Sequence, residues 1–182
     1  MLFRSSVGNV ALYSQNSSSE KIQSKKIEPD QPVEKKAVPE TKLVAAATRK
    51  INRLFAKELA QRDPVLLKAT LETLIKTGLE ENDEVKQFAL FQFAHKEAVD
   101  ICEPELAQHS LKELQKRFEI DIWDLQLDSL RKLSRNARSA DQMKSVLQTY
   151  ESIVQQAVDS EEFSSAINLT DGMSAAARKL RI

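Results

Sequence analysis

From Val44 to the end of the chain, large apolar residues recur every three or four positions, and this spacing constrains the fold more than any other feature. It places one apolar stripe along each helix, and that stripe has to be buried against another helix. Glycine, which tight turns favour, occurs only 3 times in 182 residues. The sequence therefore predicts an all-α fold in which long helices are joined by few connections.

Short polar residues mark where these helices should begin. Asp63 and Glu103 each precede a proline, which suits the first helical position because no amide is needed there. Asp83, Asp121 and Ser139 are further candidates, since their side-chain oxygens can accept hydrogen bonds from free backbone amides. These signals divide the body into about seven helices, near residues 44–61, 64–79, 83–101, 104–118, 122–137, 140–158 and 161–180.

The connections between these helices are only a few residues long, so neighbouring helices should run antiparallel as hairpins. About three hairpins and a leading helix make a short, solenoid-like array. Alanines such as Ala94, Ala98 and Ala166 recur on the helix faces, where a small side chain lets another backbone approach. The pattern is typical of tetratricopeptide-like packing, although no exact repeat of that family can be read.

Residues 1–43 differ from the rest in composition. They hold three of the five prolines (Pro29, Pro32 and Pro39) and a cluster of three serines, and charged residues alternate through their second half. Such a segment buries too little apolar surface to offset the entropy lost on ordering. The sequence predicts a disordered tail or linker over 1–43 and a helical-hairpin domain over 44–182.

The first residues, MLFRSSVGNVALYSQ, raise the question of a targeting signal. A signal peptide needs an apolar run of about 7–15 residues, and here Arg4, Ser5, Ser6 and Gly8 interrupt it. The cellular location is left open: export is expected if this is the remnant of a truncated signal peptide, and the cytoplasm otherwise. No stretch approaches the roughly 18 apolar residues of a membrane span, so none is predicted.

Overall charge and cysteine content limit the partners and the chemistry. Lys and Arg number 27, as do Asp and Glu, so no global field would steer nucleic acid or an anionic membrane to the chain. The single cysteine, Cys102, excludes an intrachain disulfide and any site that needs two thiolates.

Three stretches carry a family resemblance: VKQFALFQFAHKEAVD, LKELQKRFEID and EEFSSAINLTDGMSAAARK. They resemble a tetratricopeptide-like helical region of many large uncharacterised planctomycete proteins, over about residues 52–180. One family helix begins with an aromatic and two large aliphatics before alanine, the places of Phe88, Leu90, Phe91, Ala94 and Ala98. The next helix closes as Phe118, Glu119, Ile120 and Asp121 do.

The chain departs from that family at one turn, where Cys102-Glu103-Pro104 replaces the usual Gly-Asp. The resemblance implies a helical module that often accompanies a signal peptide and sugar-binding or other extracellular domains. It implies no catalytic residues.

His95 and Cys102 are the obvious candidates for chemistry. Seven positions apart on a helix, they stand roughly 10 Å apart along its axis, too far to bind one zinc ion. Zincin motifs need two histidines four apart, and zinc deaminases need two later cysteines, which this chain lacks. The sequence therefore predicts packed side chains here and no catalytic, metal or cofactor site.

Arg131, Arg135 and Arg138 should share one helical stripe, which could contact nucleic acid or another polyanion. Basic residues near the end of a helix also complement its dipole, and no aromatics interleave for base stacking. Nucleic acid is therefore the weaker expectation.

Leu169 and Ile182 interrupt an otherwise polar outer face of the last helix. They predict a contact patch for a partner, or for weak self-association.

Together these features predict a non-catalytic helical module, an interaction scaffold or spacer rather than an enzyme, whose partner is a protein. Two alternatives stay open: a basic-stripe module that contacts nucleic acid or another polyanion, and an enzyme whose site the linear sequence hides.

Overall fold

The computed structural model describes residues 34–61 and 63–181, and these form eight α-helices, a closing 3-10 helix and no strand. The all-α prediction is confirmed. Within these ranges no helix is both long enough and apolar enough to cross a membrane. The helices are α1 Thr41–Leu54, α2 Ala56–Leu59, α3 Pro64–Glu80, α4 Glu84–Asp100, α5 Pro104–Arg117, α6 Ile122–Asn136, α7 Ala140–Asp159 and α8 Phe163–Ala177, and the 3-10 helix is Arg178–Arg181.

Most of the predicted helix starts are confirmed by their caps. Asp63 accepts a hydrogen bond from the Val65 amide at 2.8 Å, and Asp83, Asp121 and Ser139 cap α4, α6 and α7 in the same manner. The first predicted helix, 44–61, is wrong in detail. It is divided at Phe55 into α1 and α2, and α1 begins three residues earlier than expected.

Two hairpin turns share a C-terminal cap that the sequence did not reveal. Cys102 (φ 59°) follows α4 and Glu161 (φ 61°) follows α7, both in the left-handed region. The amide of the following residue then donates a hydrogen bond to a carbonyl of the preceding helix. Glu103 donates to Ala98 at 2.9 Å, and Glu162 donates to Ala157 at 2.8 Å. Glycine usually occupies this position, so without a glycine the sequence placed both connections but did not predict the left-handed cap.

The helices stack in two layers. The short α2 contacts both α1 and α3. When α2 is left out of the order, each helix makes its extensive contacts with the next helix or the next but one. Helices α3, α5 and α7 form the first layer, while α1, α4, α6 and α8 form the second. From α3 onward, short connections join helices that pack on each other, so consecutive helices run antiparallel.

The core lies between the two layers and contains the aromatic stretch of α4. Phe91 is fully buried, and the Phe88 ring meets the Phe118 ring edge to face, with centroids 5.0 Å apart. Alanines at 94 and 98 are also fully buried, which allows close approach of the neighbouring helices. The stretch is therefore a packing face, as predicted.

The predicted boundary of the N-terminal tail is too late. The Lys36 amide donates to the Arg117 carbonyl at 2.8 Å, and the Glu119 amide donates to the Lys36 carbonyl at 2.9 Å. Residues 34–43, assigned to the tail, are thus attached to the helical domain through the α5–α6 connection or belong to α1. The rest of the predicted tail, residues 1–33, lies outside the described residues.

Candidate functional site

A polar groove runs between α5 and α7 of the first layer, with a cavity volume of about 440 Å³. On α5 the lining positions recur every three or four residues, so they form one face of that helix. The same spacing holds on α7. The lining includes Glu105, Gln108, His109 and Lys112 from α5, and Ser145, Gln148, Thr149, Ser152 and Gln156 from α7.

Gln108 is the unusual member of this groove. Its side chain is only 8% exposed, yet both its amide nitrogen and its amide oxygen are buried without a hydrogen-bond partner in the part of the chain that is described. A buried donor or acceptor left unpaired costs about 1–3 kcal/mol. The groove therefore contains an amide with both hydrogen-bonding functions unsatisfied.

Another buried glutamine, Gln87, shows the usual arrangement. It is 7% exposed, and its amide nitrogen donates to the Gly78 carbonyl at 3.0 Å and the Glu81 carbonyl at 2.9 Å. These bonds satisfy carbonyl groups at the end of α3, which have no partner within their own helix. Gln87 thus has a structural role that explains its burial, whereas Gln108 has none in the described contacts.

The chemistry of the groove is polar and close to neutral. Glu105 and Lys112 contribute opposite charges, and the remaining lining is mostly amides and hydroxyls. Among the described residues, no Phe, Tyr or Trp lines it, although stacking on a base needs such a ring. A polyanion would require a cationic lining. The groove is best suited to an uncharged group that both donates and accepts hydrogen bonds.

The prediction that Leu169 is exposed is wrong. Leu169 is 1% exposed and shares the buried face of α8 with Ala166 and Ala176. Phe163 and Ile167 form a second apolar stripe at helical spacing, and they are 60% and 64% exposed. Both stripes have helical spacing, and the alanine-containing one is buried because it allows close packing on α6 and α7.

Ile182, the other residue of the predicted patch, lies outside the described residues. Weak self-association through this end of the array stays a prediction. A substitution that tests self-association should be made at Phe163 or Ile167, which are exposed, because Leu169 is a core residue.

The predicted arginine stripe holds only in part. Arg131 and Arg135 are exposed and lie one turn apart on α6. The helix ends at Asn136, so Arg138 lies in the connection to α7 and does not continue the stripe. Only two of the three arginines therefore share a helix face.

His95 joins three helices. Its Nδ1 lies 3.0 Å from the Ala107 carbonyl of α5, and its Nε2 lies 2.8 Å from the Ser129 hydroxyl of α6. Since a carbonyl can only accept, Nδ1 carries the proton. Burial lowers the pKa of His95 and Lys132 lowers it further, against the opposing effect of the bond to Ala107. The ring is therefore neutral near pH 7.

The pairing of His95 with Ser129 places a base beside a hydroxyl, as in enzymes that activate a serine nucleophile. Ser129 is only 4% exposed, however, and its hydroxyl also lies 2.6 Å from the Leu125 carbonyl of its own helix. The arrangement ties helices together and presents no nucleophile to solvent. The sequence did not indicate this partner, which is 34 positions away along the chain.

Cys102 is buried, with its Sγ 3.7 Å from the Leu133 carbonyl. Burial raises the pKa of this thiol, and the neighbouring Glu103 carboxylate raises it further, so the reactive thiolate is disfavoured. Among residues 34–61 and 63–181, no three His, Cys, Asp or Glu side chains cluster as a metal ion would require.

Comparison with protein-family models, with curated proteins and with solved structures returned no match.

Proposed function

We propose that this chain is a non-catalytic protein-interaction module that binds an extended peptide segment of a partner protein in the groove between α5 and α7. The observation that carries the proposal is the buried Gln108 amide, which has neither a donor nor an acceptor partner among the residues that the structure describes.

A peptide backbone has the complementary chemistry. Each non-proline residue offers one N–H donor and one carbonyl acceptor, which matches the two functions of a glutamine amide. In an extended segment these groups are free, because no helix satisfies them. The side chains of Ser145, Gln148 and Ser152 line the same groove and can bond neighbouring peptide groups.

The architecture supports the same reading. In two-layer arrays of helical hairpins, one layer presents a continuous surface of side chains on which a partner can lie. The groove is formed by two first-layer helices, and its volume is within the range of about 300–1,000 Å³ typical of ligand sites. These features favour a tetratricopeptide-like scaffold, which is the class of protein that we propose for the chain.

The alternatives have weaker support. A polyanion would meet Glu105 as well as Lys112 in the groove. An enzyme would need an accessible nucleophile or acid–base pair, and the Ser129–His95 pair is enclosed by helices.

The test uses Gln108→Met in the full chain, because methionine keeps the approximate size of glutamine and removes its amide. A library of random linear peptides is selected against the wild type, and the affinity of the enriched peptides is then measured for both proteins. We expect the variant to bind about tenfold more weakly or worse, since hydrogen bonds in a buried site are lost. We also expect its free energy of unfolding to be unchanged or to rise by about 1–3 kcal/mol.

Gln87→Met is the matched control, because it removes an equally buried amide whose bonds are made. It should destabilise the fold and leave the affinity of the selected peptides unchanged. The proposal fails if no peptide is enriched by the wild type, or if Gln108→Met binds the selected peptides as tightly as the wild type does.

A further inference from the structure

A second cavity, of about 340 Å³, lies between α6 and α8 and is separate from the groove. Its lining includes Arg131 and Arg135 from α6, Asp171 and Gly172 from α8, and Lys179 from the 3-10 helix, with Tyr150 of α7 contributing from the core. Three basic side chains and one acidic side chain therefore face this cavity.

Tyr150 has a hydroxyl group whose burial is explained neither by core packing nor by the groove between α5 and α7. The residue is fully buried, and its hydroxyl has no hydrogen-bond partner in the described ranges. Burial raises the pKa of this phenol, although the neighbouring Ser134 hydroxyl and the Arg131 charge oppose the shift, so the hydroxyl keeps its proton at neutral pH. The Ser134 hydroxyl donates to the Leu130 carbonyl at 2.8 Å and makes no bond of acceptable geometry with the phenol. The Tyr150 hydroxyl is therefore available as a hydrogen-bond donor.

The backbone of α8 makes room for that hydroxyl. A Cβ atom at Gly172 would lie 3.0 Å from the Tyr150 oxygen and 3.1 Å from its Cε1. Any side chain at this position would crowd the phenol and close the cavity above it. Glycine thus keeps open the side of the cavity where the unpaired hydroxyl lies.

The basic side chains have the complementary charge for an anion. Arg131 and Arg135 make no side-chain ion pair with another described residue, and both are exposed. Lys179 is held in place by donating from Nζ to the Ser134 carbonyl at 2.9 Å. Arginine is well suited to oxyanions because its planar donors can bond two oxygens at once.

We propose that this cavity binds an oxyanion, a carboxylate or phosphate group, between Arg131 and Arg135, with the Tyr150 hydroxyl as an additional donor. A bound water could also satisfy the phenol, but it would not neutralise the cations. The two explanations therefore differ in their response to added anions.

The test measures the thermal unfolding of the full chain in sodium chloride, sodium acetate and sodium phosphate at equal ionic strength. We expect phosphate, or phosphate and acetate together, to raise the Tm of the wild type above its value in chloride. A response to phosphate alone identifies a phosphoryl group as the ligand chemistry, whereas an equal response to acetate identifies a carboxylate.

The double variant Arg131→Gln and Arg135→Gln should lose this shift, and its anion affinity should fall about tenfold or more, because charge-assisted hydrogen bonds are lost. Arg138→Gln removes a nearby charge outside the cavity and should keep the full shift. Tyr150→Phe removes only the hydroxyl and should weaken anion binding without unfolding the chain.

Equal Tm values in all three salts would overturn the proposal and leave water as the partner of the phenol. An equal loss of the shift in Arg138→Gln would also overturn it, since that result would indicate a general charge effect. If Tyr150→Phe fails to fold, the arginine double variant and its Arg138 control decide the question.

Discussion

At the residue scale, Glu161 holds a backbone conformation that its side chain disfavours. Its φ of 61° places it in the left-handed region, which costs a residue with a Cβ roughly 1–2 kcal/mol. Glycine would remove that strain. It would also lower the free energy of the unfolded chain by about 0.4–1 kcal/mol, because it gives that chain more conformational entropy. Because Glu161 is exposed and the strain is the larger effect, Glu161→Gly should stabilise the fold by about 0.5–1 kcal/mol, measured by chemical denaturation.

Cys102 provides the comparison for that prediction. It has nearly the same φ, 59°, but its side chain is buried against α6. Cys102→Gly relieves the same strain and loses the packed thiol, so its gain should be smaller than that of Glu161→Gly or reversed. A greater stabilisation by Cys102→Gly would contradict this account of the two turns.

His95 should make stability depend on pH. Its folded pKa lies below the ordinary value of 6.5, so between these two values the unfolded chain binds more protons than the folded chain. The contribution of His95 is fully present above pH 6.5 and is lost as the pH falls from there to the folded pKa. We expect His95→Gln to show a smaller loss of unfolding free energy over that window, measured by denaturation at a series of pH values.

His109→Gln is the control, since it removes the other histidine, which is exposed on α5. If His109→Gln reduced the pH dependence as much as His95→Gln, the assignment to the buried ring would be wrong.

At the element scale, Gly78 sets the distance between α3 and α4. A Cβ atom there would lie 2.8 Å from the Phe91 ring, closer than packed atoms allow. In an open helix, Gly→Ala stabilises by about 1 kcal/mol. Here we expect Gly78→Ala to destabilise the fold, because α3 or the fully buried Phe91 must move. Denaturant titration measures the effect.

The second variant for this prediction is Gly78→Ala combined with Phe91→Leu, which shortens the side chain that clashes. Its loss of stability should be smaller than the sum of the two single losses, because the two sites are in contact. Additive losses would show that the alanine does not meet the Phe91 ring.

Polar side chains at the helix ends bond neighbouring helices of the second layer to each other. Asn136 at the end of α6 donates to the Val99 carbonyl of α4 at 2.9 Å, and Lys179 after α8 donates to the Ser134 carbonyl of α6. Each bond satisfies a carbonyl near the end of the preceding helix of that layer. The caps repeat along the array although the residues that provide them differ.

At the scale of the whole molecule, the domain begins earlier than its composition indicates. Lys42 lies in α1, and both the amide and the carbonyl of Lys36 are bonded to the α5–α6 connection. Brief digestion with trypsin should therefore cut after Lys25 or Lys26 before it cuts after Lys36 or Lys42, as mass spectrometry of the fragments would show. A first fragment beginning at Leu43 would restore the original boundary.

The sequence by itself determined the number of long helices, most of their starts and the packing role of the aromatic stretch in α4. These features depend on interactions within a few residues: an N-cap bonds an amide two or three positions away, and an apolar stripe repeats with the helical period. Asp63, Asp83, Asp121 and Ser139 could thus be assigned without any knowledge of neighbouring helices.

The tertiary structure alone decided which of the two apolar stripes of α8 is buried, and therefore that Leu169 lies inside while Phe163 lies outside. It also decided that the His95 ring lies beside the Ser129 hydroxyl. Gln87 forms hydrogen bonds, whereas Gln108 forms none with the described residues, and this difference too depends on the tertiary structure. The physical reason is the same in each case. A hydrogen bond or a buried contact between helices depends on how they approach each other, and residues far apart in the chain set that approach.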